Sequence, residues 1–262
     1  MGAQDISWLN LMLGYLLLLI PIGVFAYYRT GMIKPMLISM FRMSVQLFLV
    51  GLYLKYLFQL NHALVNMAWV LLMIVVTAYT VVTRTHLPRK LLFLPVLLAL
   101  IISIFFIDLF LLGVVLRLDF IFEAAYLIPI TGMLIGNSLT NTVIAIDHFY
   151  TRIKQQQNTY RFALANGGTR SDAMRIFIKD ALRRAMNPTI ASTAVMGIVS
   201  LPGMMTGQIL GGSDPSVAIK YQILIMLTIF VSSLITIVLS ILFCNRKAFD
   251  GFGNLREEMK ES

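Results

Sequence analysis

Seven long apolar runs decide most of what this chain can become. They cover 8–28, 36–58, 63–83, 91–112, 120–146, 188–210 and 217–243, and each is close to the ~20 helical residues that cross a ~30 Å hydrocarbon core. In lipid every backbone polar group must be satisfied within the protein, which leaves helices or closed barrels. Barrel strands would read as alternating segments of about ten residues, whereas these runs are continuous. The chain therefore reads as an all-α, polytopic membrane helical bundle of about seven transmembrane helices. Charged residues are only 13% of the total against 58% hydrophobic, too few to cover a soluble surface. No basic region precedes Trp8 and its run exceeds a signal core, so the first run is expected to stay as a span.

Charge placement orients the bundle. Arg29 and Lys34, then Arg84, Arg89 and Lys90, then eight Lys/Arg between 150 and 187, then Arg246, Lys247, Arg256 and Lys260 all fall on one side. The other side holds only Lys55, Arg117 and Lys220, and Arg42 lies within a span. The positive-inside rule puts the N-terminus out, the C-terminus in and the 150–187 stretch in the cytoplasm, as expected for a multi-pass plasma-membrane protein. Topology and anionic lipid account for the net charge of +9, so no nucleic-acid partner is expected. Cys244 stands alone and reads as a small apolar residue. No boundary divides the chain, which is expected to be one permease-like membrane domain over 1–262 with a cytosolic insertion at about 150–187 and a tail at 245–262.

The insertion has internal order. Met174, Phe177, Ile178, Ala181 and Ala185 recur at helical spacing, with Asp172, Arg175, Lys179 and Arg183 on the opposite face. Thr169 with Asp172 three residues on is a capping-box pattern. Gly167-Gly168 can supply the positive φ that ends a preceding helix over 155–166. The spacing predicts helix, glycine turn, helix: either an interfacial helix on headgroups or a handle for a soluble partner.

Two stretches carry a family resemblance. Ser200-Leu201-Pro202-Gly203-Met204-Met205-Thr206-Gly207, with Asp214-Pro215 and then Ala218-Ile219-Lys220-Tyr221-Gln222, resembles the signature of the FetB family of ABC-transporter permeases. Ile128-Pro129-Ile130, Gly132-Met133 and Gly136-Asn137 resemble its other dense region. That family includes bacterial iron-export permeases and, more distantly, plant aluminium-tolerance half-transporters. Arg161 to Gly167 is partly similar to the coupling element of ABC importers, with Arg161 and Phe162 in place of its first two positions. The resemblance implies a permease subunit, paired as a homodimer in lipid, joined to a cytosolic ABC ATPase and moving metal ions, iron foremost, by alternating access. Leu164, Gly167, Gly168, Arg170, Asp172 and Arg175 are then the expected ATPase-coupling residues. No Gly-x-x-x-x-Gly-Lys-Ser/Thr pattern occurs in the sequence, so the chain is expected to be no enzyme and to bind no cofactor, with ATP-Mg on the partner.

Polar residues within the spans are the candidate translocation path, since each is costly in lipid. Ser39, Arg42 and Gln46 share one helical face, and Arg42 either snorkels to the headgroups or pairs with Asp147. Met133, Asn137 and Asn141 share another, beside a Gly132-x-x-x-Gly136 packing motif. Met204, Met205 and Gln208 follow Pro202-Gly203, where a broken helix could present carbonyls to a substrate. Asp108, Glu123, Met204 and Met205 are the metal candidates: the carboxylates as an outward cation site or as plain interfacial groups, the thioethers as soft ligands or core filler. His62, His86 and His148 show no metal-ligand spacing. An ATP-independent secondary transporter or channel for a cation or small solute is the alternative.

Overall fold

The computed structural model describes residues 5–85, 87–251 and 253–259; His86 and Lys260, both read above, lie outside them. Among the described residues six helices are long and apolar enough to cross a membrane. The first crossing joins α1 (Trp8–Gly14), a 3₁₀ turn and α2 (Leu19–Tyr27), and α3 (Ile33–Leu60) follows. The Tyr15 and Ser44 hydroxyls pair across the two. No residue of α1 or α2 is buried, and only Leu57 of α3 is.

The core lies elsewhere. α4 (Ala63–Arg84), α5 (Arg89–Asp108, continued by a π-helical Leu109–Val115), α6 (Ala124–Gln155) and α10 (Pro215–Ala248) pack on one another. Lipid is as apolar as leucine, so close fit rather than expulsion of water holds such helices together. Small hydroxyl side chains supply that fit on α10, where Thr228, Ser232, Thr236 and Ser240 recur every fourth residue and are buried. Ser103 of α5 meets Thr236 at 2.5 Å. Asn61, at φ 36° after α3, accepts from the first amide of α6, Ala124, at 2.9 Å. Asp214 and Pro215 start α10 in the same way: the carboxylate accepts from the Ser216 amide at 2.7 Å, while proline occupies a position whose N–H needs no partner.

The expected insertion is continuous with the membrane helices. α6 runs unbroken to Gln155, α7 (Gln157–Ala165) folds back, and α8 (Arg170–Ala194) begins after the glycine turn. α8 passes straight through Pro188, so the 187/188 boundary read from the sequence is not a boundary of the fold. The predicted span 188–210 is accordingly not one helix. α8 ends at Ala194, residues 195–202 are unwound, and α9 (Gly203–Leu210) completes the segment. Gly197 at φ +87° is the reason: its left-handed backbone cannot propagate an α-helix, and Pro202 lacks the N–H to resume one there. α8 starts beside the C-terminal end of α10, through Arg170 and Asn245, and α9 leads into the start of α10. The broken segment therefore lies along α10, touching it near both ends.

Candidate functional site

Two regions gather the candidate residues. The first is the helical turn expected on the cytosolic side. Gly167 takes φ +82° and closes α7, with its amide donating to the Leu164 carbonyl at 3.1 Å and that of Gly168 to Ala163 at 3.1 Å. A side chain at Gly168 would put its Cβ 2.7 Å from the Ala163 oxygen. The capping box forms as expected: Thr169 Oγ1 accepts from the Asp172 amide at 3.2 Å and Asp172 Oδ2 from the Thr169 amide at 3.1 Å. The Thr169 hydroxyl, donating to Asp172 Oδ2 at 2.5 Å, and after it the Thr169 amide hold the Asp172 carboxyl below the usual carboxylate range.

Arg170 departs from its expected place on the docking surface. It is half-buried, donates to the Asn245 carbonyl at 2.6 Å and lies 4.6 Å over the Phe249 ring. Leu164 is half-buried, whereas Arg175 is exposed. The outer surface of the tip also carries Phe162 at 69% exposure, noted above only as a departure from the importer coupling element, and Ile176 at 54%, which the helical pattern left out. Arg161, Arg175 and Lys179 are exposed on the same two helices. Ile176 left a signal, since it is an apolar residue beside Arg175, on the polar side of the helical pattern. The tip is thus a projecting turn with apolar knobs among cations, suited to a soluble partner with an apolar cleft and an acidic rim.

The second region lies at membrane depth on α6, α8 and the unwound stretch. Asn141 is buried, and its amide donates to Thr189 Oγ1 of α8 at 3.2 Å. Thr140, next to Asn141, and, about one turn along each helix from that bond, Asn137 of α6 and Ser192 and Thr193 of α8 are exposed. Asn137 bonds only its own helix, to the Met133 carbonyl at 2.9 Å; Met133 is half-buried. Gly132 faces Met73, whose Cε lies 3.3 Å from a Cβ built there, while Gly136 faces open space. The glycine motif therefore packs one helix through one glycine and leaves the other uncovered.

A groove of about 620 Å³ continues this region, lined among others by Thr193, Met196, Met205, Gln222, Met226 and Phe230. The Gln222 amide oxygen is buried there with no partner, and that of Gln208 is in the same condition. Met204 packs on the core while Met205 lines the groove, because adjacent helical residues point about 100° apart. The pair does not act as one thioether site.

The remaining candidates stand apart. Ser39, Arg42 and Gln46 share an exposed face of α3. No ion pair joins Arg42 to Asp147 among the described residues; the field of Asp147 instead reaches Lys154, two turns on along α6. Helices α3 and α6 touch too little for the expected pairing. Glu123 is half-buried at the N-cap of α6. Asp108 is buried, accepts from Thr131 Oγ1 at 2.6 Å on one oxygen, and has no partner for the other. It borders a cavity of about 70 Å³ walled by Val70, Ile74, Ile104 and other aliphatic side chains. Among the described residues no three His, Cys, Asp or Glu gather as metal ligands.

Residues 8–249 match the model of the family described as Uncharacterised protein family (UPF0014). The chain is 33% identical over 238 residues to the UPF0014 membrane protein YjkA of Bacillus subtilis, covering 90% of this chain and 93% of that one. It is 28% identical over 250 residues to the Probable iron export permease protein FetB of Escherichia coli, covering 95% of each. It is 35% identical over 198 residues to the protein ALUMINUM SENSITIVE 3 of Arabidopsis thaliana, covering 73% of this chain and 68% of that one. No solved structure matches it. With a family match over nearly its whole length and six helices able to cross a bilayer, this chain is a multi-pass membrane protein of the UPF0014 family, to which its FetB-like signature belongs.

Proposed function

We propose that this protein is the membrane-spanning permease subunit of an ATP-binding-cassette transporter, driven by a separate cytosolic ATPase. The observation that carries the reading is the cytosolic tip. A capped, glycine-closed turn holds Phe162 and Ile176 out among cations, an apolar pair that a cleft on a soluble partner would cover. The similarity to a protein named as an iron export permease favours metal-ion export, iron first.

The membrane region supports two copies. Gly136, Asn137, Thr140, Ser192 and Thr193 are exposed at membrane depth beside unwound backbone. Irregular backbone at that depth is tolerated only where protein or a water-filled path covers it. A second copy facing this surface encloses such a path from amides, hydroxyls and thioethers, and alternating access opens it to each side in turn.

Co-purification from detergent with a co-expressed ABC ATPase, followed by ATPase measurements on the reconstituted complex with a panel of metal ions and small solutes, tests both levels. ATP-dependent transport stimulated by iron is the expected result. Transport without ATP and without a bound ATPase returns the chain to the secondary-transporter alternative; ATP-driven transport unresponsive to iron removes only the substrate.

A further inference from the structure

The turn that carries the docking tip is not held by its own helices alone. Asn245, near the end of α10, is a junction for three helices. Its side-chain oxygen accepts from the Tyr150 hydroxyl of α6 at 3.2 Å, its amide donates to Met174 Sδ of α8 at 3.4 Å, and its carbonyl accepts from Arg170 at 2.6 Å. Arg170 is the first residue of α8, directly after the turn. Beyond Asn245 the chain folds back as a small hairpin. Phe249 and Leu255 pair across it, the Asp250 amide donates to the Asn254 carbonyl at 2.9 Å, and Gly253 at φ +81° makes the reversal.

That hairpin is sewn onto the tip. The Tyr160 hydroxyl of α7 donates to the Gly253 carbonyl at 3.0 Å. The Tyr160 ring lies 5.8 Å from that of Phe249, whose other neighbour is the Arg170 guanidinium. Phe249, Leu255 and Met259 are all buried in the main core. Burial raises the Tyr160 hydroxyl above the ordinary tyrosine range, with Arg170 opposing.

We propose that the C-terminal hairpin and the Arg170–Asn245 bond are the mechanical tie that makes the tip, the end of α6 and the end of α10 move as one body. Motion imposed on the turn then passes directly into α10, which lines the membrane groove through Gln222, Met226 and Phe230. Without the tie the α7–α8 turn still reaches α10 through the packing of α6 and of the body of α8, but no longer by a bond from the first residue after the turn. Arg170 and Asn245 are positioning residues here, not contacts to the partner. This inference rests on the ATPase-driven reading.

Two measurements on the full-length protein in lipid nanodiscs test it. Arg170→Gln removes the charge, the bond and the stacking, and Tyr160→Phe removes one hydroxyl while leaving the fold; Arg170→Lys restores the charge alone. In the free permease, amide exchange over 157–169 is expected to rise about tenfold in Arg170→Gln and about threefold in Tyr160→Phe, with 225–240 unchanged. Unchanged exchange over 157–169 in both variants overturns the tie, with no ATPase needed. In the complex with the co-expressed ATPase, Arg170→Gln is expected to bind ATPase as the wild type does but to transport about tenfold less per ATP hydrolysed, with partial rescue by Arg170→Lys. A loosened turn with an unchanged transport-to-ATP ratio overturns the transmission role. A wild-type protein that binds no ATPase overturns the reading beneath it, whatever the exchange shows.

Discussion

At its first end, the one expected in the cytoplasm, α8 begins in a reciprocal capping box, with its first residue bonded to α10 and its apolar face sunk in the core. At its membrane end the same helix passes Pro188, presents Ser192 and Thr193 with no cover, and dissolves into a stretch where Ile198 is 91% and Val199 76% exposed. Water could have satisfied loose polar groups at the first end and cannot at the second. The chain has nonetheless completed the end that water would forgive. The difference is one of completeness: the turn is fixed by bonds within one copy, and the membrane face is left uncovered.

The largest test of that contrast is Gly168→Val. Its Cβ would meet the Ala163 oxygen at 2.7 Å, and backbone cannot swing aside as a side-chain end can. Relief costs on the order of 3 kcal/mol of local strain and displaces the start of α8. ATP-coupled transport should be abolished while membrane insertion and the α4–α5–α6–α10 core persist. Gly167→Val should act in the same direction at about 1–2 kcal/mol, since it faces open space and suffers only from its left-handed φ of +82°. Full coupling in Gly168→Val would show that the turn is only an interfacial helix pair.

That ranking of two adjacent glycines separates what the sequence carries from what it does not. Local rules were readable: the Thr169–Asp172 box, the left-handed Gly167 and the apolar face of Met174, Phe177, Ala181 and Ala185 all depend on residues within a few positions. The long-range partners were not. Arg170 reads as one more cation in a basic stretch, and nothing within its own helix reveals that Asn245 and Phe249 receive it. Hydropathy misled at 188–210 because apolar composition is the same whether the backbone is helical or unwound, and the glycine that breaks it, Gly197, sits among residues that would suit either. Of the expected path residues, Asn137 and Asn141 fall near one another as predicted, but one is exposed and the other spent on Thr189.

A buried carboxyl sharpens the contrast within the membrane half. Asp108 offers one oxygen to Thr131 and leaves the other unpartnered beside aliphatic side chains. A polar group buried in this way costs about 1–3 kcal/mol. Asp108→Asn, which keeps the shape and can still accept from Thr131 without a formal charge, is expected to stabilise the detergent-solubilised protein by about that amount in thermal unfolding. Thr131→Val should destabilise it by a similar amount by leaving both oxygens without a donor. Retained transport in a stabilised Asp108→Asn protein would mark the carboxylate as incidental; lost transport in that variant would mark it as functional.

The open face makes a smaller prediction. Asn137→Leu with Thr140→Leu should leave thermal stability nearly unchanged, because neither side chain bonds beyond its own helix. Transport should fall about tenfold if each amide or hydroxyl contributes an ordinary hydrogen bond to a path. A gain in stability with unaltered transport would place this face against lipid and remove the argument for a second copy there.

The smallest effect belongs to the cap of α8 and is a matter of pH. Asp172 is fully exposed, and its carboxyl is held below the usual range chiefly by the Thr169 hydroxyl and amide. A carboxyl whose folded value is depressed contributes stability that is fully present above its unfolded value, about 3.9, and is lost as pH falls through the lower folded value. Amide exchange at Ser171, Asp172 and Ala173, corrected for its intrinsic pH dependence, should therefore stay flat from pH 7 to about 5 and accelerate only below about 4. Asp172→Asn should remove that acid limb while Thr169→Ser retains it, because serine supplies the same hydroxyl. An acid limb that persists in Asp172→Asn would mean that the first turn of α8 is held by its tie to α10 and owes nothing to its cap.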